Sequence, residues 1–236
     1  KITGDWQKFK GEPGTEVTLT VARDGEEKSF TLTRETINNV SAYVEYRDHT
    51  AIITVTRFDN DTGTKIQQIV RDEFPDHDVQ KVILDLRNNG GGYVSAAQDL
   101  LSLWLDGEEI LVQSGRTSGD TTTYANRNQA LLADTPTIVL VNGATASASE
   151  IVAGALQDYD AATILGETTY GKGVVQTLLN LSGGTLLKVT TARWYTPLGT
   201  SINGQGITPD VTVELTYDDT NHGRDPQLDA ALDLEL

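Results

Sequence analysis

The 236-residue sequence has no cysteine and no methionine. Without cysteine there can be no disulfide, no thiolate zinc site and no cysteine nucleophile. Basic residues are scarce: 18 Lys+Arg stand against 34 Asp+Glu, a formal charge of −16. So acidic a surface repels phosphate backbones and anionic lipid, which disfavours a nucleic-acid binder or a basic membrane-surface protein. No apolar run approaches the roughly 20 residues that a membrane helix needs, so a soluble piece without membrane contact is expected. The chain opens at Lys1 in mid-pattern, with no initiator, signal peptide or anchor, which reads as a fragment of a longer protein. What is present suits a globular fold. Apolar residues are 38% and charged residues 22%, enough for a sizeable core. The length suggests one large domain, or one domain and a piece of another.

Residues 1–37 read as a separate scrap. Glu16–Val21 and Ser29–Thr33 alternate apolar and polar with period two, and Asp24-Gly25 between them signals a hairpin. Two strands alone are marginal in water, so the hairpin should need partners. This part carries six basic and seven acidic residues, so the acidity belongs to residues 38–236, the main domain. There, short apolar strands are expected at 51–55, 81–86, 137–141 and 163–165. Helical spacing is expected at 64–74, 94–105 and 147–159, further strands from 174 and over 185–191, and a short helix near Pro226. Strands alternating with helices predict an α/β layer with a largely parallel sheet.

Three loops, each after an expected strand, could carry chemistry, since ligand sites in such sheets gather at the carboxyl ends of strands. The first is Asn88-Asn89-Gly90-Gly91-Gly92. Its glycines are either a flexible turn or a cradle of backbone N–H groups for an oxyanion. The second is Thr145-Ala146-Ser147-Ala148-Ser149-Glu150. Ser147 and Glu150 fit a capping box, yet Ser147 also suits a nucleophile at a helix start, with the Ala148 N–H aimed at the developing oxyanion. These two uses compete for one hydroxyl.

The third loop, Gly166-Glu167-Thr168-Thr169-Tyr170-Gly171-Lys172-Gly173, nearly spells a phosphate-binding loop. It fails because Gly173 stands where a Mg²⁺ ligand is required, and because a β-branched stretch follows in place of a helix. Lys172 is then either a solvated surface lysine or a buried base. His49, His77 and His222 lie in polar, acidic stretches, none placed like a catalytic histidine. A Ser–Lys pair is therefore the better candidate. It requires a lysine brought from about 10.4 to near 7–8, roughly 3–5 kcal/mol of desolvation or like-charge pressure.

With these residues assembled, the sequence resembles the carboxyl-terminal processing (tail-specific) serine peptidases over about residues 40–214. The resemblance rests on four motifs in order. They are Asp85 to Gly92, Ser147 to Asp158, Gly166 through Gln176, and Arg193 to Gly199 leading into Gly206 to Val211. The 25-residue gap from Ser147 to Lys172 also matches the family. The resemblance implies a crotonase/ClpP-like α/β fold, a twisted sheet flanked by helices, with no metal or organic cofactor. It implies Ser147 as nucleophile, Lys172 as general base and Gln176 as the group orienting that lysine.

The oxyanion hole would come from the Ala148 N–H and one glycine of the 90–92 loop, Gly91 favoured over Gly92. Where the family usually has Pro or a small residue this chain has Gly90, so a looser loop is expected. If Gln176 touches Lys172 the chain must bend near Gly171 or Gly173, because an extended run would separate them by about 13 Å. Asp158 sits roughly 16 Å along the helix axis from Ser147, so it reads as support at the far end, with Glu150 the capping support.

Residues 1–37 resemble the last two strands of the PDZ domain these peptidases carry, which captures substrate C-termini by strand addition. Lacking the carboxylate-binding half, the fragment should lack that step. The implied partners are protein or peptide substrates with accessible C-termini, acted on outside the cytoplasm, in the periplasm or at the cell surface. The contrasting reading is a catalytically silent binding module on the same fold, its Ser147 hydroxyl locked in the capping box.

Overall fold

A computed structural model describes residues 9–23, 25–35, 40–115 and 119–235. The chain divides into two units, Lys1–Val40 and Ser41–Leu236. In the first, β1 (Glu16–Arg23) and β2 (Glu26–Thr33) pair antiparallel, with Glu16 opposite Thr33 and Arg23 opposite Glu26. Period-two alternation produces this ladder. Asp24 of the expected turn lies outside the described residues.

The second unit is built on a six-stranded sheet in the order β12-β9-β8-β5-β4-β3. Its strands are β3 (Ala42–Arg47), β4 (Thr50–Val55), β5 (Lys81–Asp85), β8 (Thr137–Val141), β9 (Thr163–Gly166) and β12 (Val211–Thr212). All neighbours run parallel except the β3–β4 hairpin. Central β5 and β8 are continuous apolar runs because both of their faces are covered. On one face Ile53, Val82, Leu84, Val139 and Val141 pack against α1 (Thr62–Asp72), α2 (Val94–Leu101) and α3 (Ala148–Asp158). On the other, Ile52, Ile83, Ile138, Leu140 and Leu165 pack against α5 (Pro226–Asp233). A short α4 (Tyr217–Asn221) precedes α5.

Two features depart from the expected pattern. The helix expected over 94–105 ends at Leu101, and Leu103, Trp104 and Leu105 are buried in turns beyond it. Apolar spacing reports burial, and here burial outlasts the helix. There is also a second, antiparallel sheet, ordered β10-β11-β6-β7. It joins β6 (Glu109–Gly115) and β7 (Gly119–Tyr124) to β10 (Val174–Asn180) and β11 (Leu186–Tyr195).

One ionic cluster ties α5 to the end of β5, just before the glycine loop. Arg87 donates from Nε to Asp85 Oδ1 (3.0 Å) and from Nη2 to Asp85 Oδ2 (2.7 Å). It also donates to both oxygens of Asp225 (2.8 and 2.9 Å) and to Gln227 Oε1 (3.1 Å). Asp225 in turn caps α5 by accepting from the Leu228 N–H (3.0 Å).

Candidate active site

The loops after β5 and β8 lie side by side because their strands are neighbours. They are stitched together by polar bonds. Thr145 Oγ1 donates to the Leu86 carbonyl (2.9 Å), and the Ala146 N–H and Ser149 Oγ both donate to the Asn89 carbonyl (3.0 Å each). Buried Asn89 completes the join, donating from Nδ2 to the Val55 carbonyl (2.8 Å) and accepting the Gly91 N–H at Oδ1 (2.9 Å). Gly91 sits where a side chain would not fit. Its φ is +97°, and a Cβ there would lie 2.7 Å from the Ala146 carbonyl oxygen and 2.8 Å from both the Ala148 nitrogen and the Ser147 Cβ.

Ser147 precedes the first turn of α3 with φ 60° and ψ −116°. Helix N-caps ordinarily take the extended region, and only glycine enters the left-handed side freely. The capping-box pair is in place, with Glu150 Oε2 accepting the Ser147 N–H at 2.8 Å. The Glu150 N–H, however, donates to Ser147's backbone oxygen (2.9 Å), and no cap hydrogen bond ends on the hydroxyl. The first turn of α3 is therefore held at Ser147 by its backbone N–H and carbonyl together.

Glu150 does more than cap. Its fully buried carboxylate also accepts from Thr169 Oγ1 (2.6 Å), the Gly171 N–H (2.6 Å) and the Lys172 N–H (2.9 Å). One side chain therefore holds the backbone of Ser147 and that of Lys172 at once. Trp194 holds the other side of the lysine peptide, its Nε1 donating to the Lys172 carbonyl (2.9 Å). Gly171, at φ +83°, allows the tight passage, since a Cβ there would meet the Gly206 nitrogen at 2.8 Å.

These segments wall a cavity of about 400 Å³. Ser147, Lys172, Gln176 and Gly90-Gly91-Gly92 all line it, with Val94, Ile151, Val174, Val175 and Trp194 as its apolar wall. A strand irregularity at Val175/Gln176 bends β10 where Gln176 turns to this cavity. Gln176 Nε2 donates to Thr190 Oγ1 at 3.4 Å, and among the described residues the Lys172 amine makes no hydrogen bond or ion pair. The N–H groups of Ala148 and Gly92 are likewise unengaged among the described residues, whereas that of Gly91 is held by Asn89. Asp158, at the end of α3, accepts the Leu198 N–H (2.7 Å), well away from the cavity.

None of the three histidines lines the cavity. His49 bonds the Asp78 carbonyl, His77 stacks on Tyr46 and His222 bonds the Asp218 carbonyl. Among the described residues no cluster of three or more His, Asp or Glu is placed to hold a metal ion. A cleft of about 450 Å³ near Gln157, Asp160 and Thr163 is no smaller but includes none of Ser147, Lys172, Gln176 and the glycine loop.

Residues 49–213 match peptidase family S41. The chain belongs to that family. The S41 relatives include a protein described as "probable CtpA-like serine protease" from Staphylococcus aureus strain COL. It is 40% identical over 207 residues, covering 87% of this chain and 41% of that protein. A protein of the same description from Staphylococcus saprophyticus is 36% identical over 211 residues, covering 88% of this chain and 42% of that one. Among solved structures, the photosystem II D1 C-terminal processing protease aligns with a TM-score of 0.67 and 30% identity. The alignment covers 86% of this chain and 57% of that one. The chain thus spans about two fifths of the curated relatives' length. The fold is the mixed α/β arrangement of S41 peptidases, sheets flanked by helices.

Asn89, Thr169 and Trp194 fall in motifs that the sequence singles out, but their anchoring roles were not readable there. Their partners lie 34, 19 and 22 residues away, and no local pattern spells such pairs.

Proposed function

We propose that this chain is the catalytic core of a serine endopeptidase that cleaves near the C-terminus of protein substrates, with Ser147 as nucleophile and Lys172 as general base. The main support is that one cavity holds both residues, together with the glycine loop, and that one buried carboxylate fixes both backbones. The relatives described as serine and C-terminal processing proteases support the same reading.

In the proposed reaction Ser147 Oγ bonds the scissile carbonyl carbon while its proton passes to the Lys172 amine nitrogen. The carbonyl oxygen becomes an oxyanion facing the Ala148 N–H, at the positive end of α3, and a glycine N–H. In the conformation described Gly92 supplies that second donor. Gly91 joins only if its N–H leaves Asn89 Oδ1. Collapse breaks the C–N bond, and the leaving amine takes the proton from Lys172. Water, deprotonated by Lys172, then releases the acyl group and restores Ser147. Gln176 orients the lysine amine from the same wall. The β1–β2 hairpin is taken as the closing strands of a PDZ domain, and the setting as outside the cytoplasm.

Ser147→Ala and Lys172→Ala should each lower kcat/KM on an unstructured peptide by about ten-thousand-fold. Wild type should be labelled by a serine-directed phosphonate, and Ser147→Ala should not. Normal cleavage by Lys172→Ala would end this mechanism. An unlabelled, inactive wild type would leave a binding module.

A further inference from the structure

The catalytic cavity contains a charge that the proposed chemistry does not use. Lys188, on β11, lines it together with Lys172. None of the twelve lining residues is acidic, in a chain with 34 acidic residues and a net charge of −16. Lys188 forms no ion pair among the described residues and is exposed at the mouth of the cavity. The ladder gives its position. Thr190, which accepts from Gln176, lies two residues further along β11, and Lys188 is paired with Leu178 of β10. Two residues of a strand span about 7 Å on one face, so the Lys188 ammonium reaches a point a few residues of extended peptide from the reacting centre.

The geometry points to Lys188 as the recognition site for a substrate carboxylate within about three residues of the scissile bond. This rests on the peptidase reading and specifies its substrate class: peptides with a free α-carboxylate, or an Asp or Glu side chain, at that distance. An ammonium presents a compact charge with three donors, and it suits a carboxylate held partly out of water. The surroundings favour an anion further. The positive end of α3 faces into the same cavity. Elsewhere the acidic surface repels such substrates, so the acid-free cavity is where a carboxylate can settle.

The test uses three peptides of one sequence: a free acid with its C-terminus three residues past the cleaved bond, its amide, and the amide with an Asp placed there. Binding is measured by fluorescence anisotropy on the full chain carrying Ser147→Ala, and cleavage on the chain with Ser147 intact. The free acid should be preferred to the amide by roughly tenfold, a difference of about 1.4 kcal/mol. Recovery of that preference by the Asp peptide assigns the site to side-chain carboxylates as well, and its absence assigns it to the C-terminus alone. Lys188→Arg should keep the acid-to-amide ratio, Lys188→Ala should bring it near one, and Lys188→Glu should invert it. A ratio unchanged in Lys188→Glu would overturn the inference. So would a loss common to all three peptides with a displaced pH profile, since Lys188 would then act on Lys172 and not on substrate. No turnover by wild type, with the ratio intact in binding, would sink the peptidase reading and leave Lys188 standing.

Discussion

Ser147 occupies a backbone region that residues with a Cβ avoid, and holding one there costs of order 1–3 kcal/mol. Its neighbours hold it in place. Glu150 takes its N–H, while its carbonyl receives the N–H groups of Glu150 and Ile151. Glycine relieves the strain and alanine does not. Ser147→Gly should therefore be more stable than Ser147→Ala by about 1 kcal/mol in urea denaturation. Equal stabilities would mean that no strain resides at this position. The choice between cap and nucleophile was not legible in the sequence, because Ser-Ala-Ser-Glu spells a capping box whatever the sign of φ. The positive φ of Ser147 is set by the loop that precedes α3, which no residue spacing spells.

At the scale of elements, the parts with strong periodicity were readable. α1, α3, β5, β8 and the β1–β2 hairpin follow the apolar spacing closely. β7, Gly-Asp-Thr-Thr-Thr-Tyr, was missed because it buries little and shows no alternation. β3 and β6 are half-exposed and equally faint. The junction between α3 and the lysine loop was least visible of all, since it runs through one side chain. Glu150 accepts four hydrogen bonds in a fully buried position, two of them from donors more than 20 residues away. An amide has a single acceptor oxygen and would turn its own N–H groups toward donors. Glu150→Gln should therefore cost roughly 2–3 kcal/mol of stability. Under the proposed mechanism it should also lower kcat more than KM, because Ser147 and Lys172 lose their common anchor. A variant with normal kcat and reduced stability would make Glu150 a purely structural residue.

Across the whole molecule, the Arg87 cluster joins the last helix to the strand that delivers the glycine loop. Burial pushes the Asp225 carboxyl up, but the Arg87 guanidinium and the Leu228 and Gln227 N–H groups outweigh it, and the group titrates below its ordinary value. A carboxyl depressed in the folded state adds stability above its unfolded value, near 3.9, and that contribution is lost as pH falls through the folded value. Asp225→Asn should thus be less stable than wild type by a constant margin above about pH 5, a margin that shrinks below about pH 4. Denaturant titrations at several pH values would show it, and a margin that grows toward acid would contradict the cluster as described. Among the described residues no helix is long and apolar enough to cross a membrane.

The glycine loop and the serine arrive from β5 and β8, whose neighbouring backbones are paired Val82 to Thr137 through Asp85 to Leu140. Adjacent strands stand about 4.8 Å apart whatever side chains they carry. The spacing of the glycine loop from the start of α3 is therefore set by the ladder itself. Substitutions in the surrounding shell can tilt or loosen these segments, but their separation changes only if one strand slips along the other.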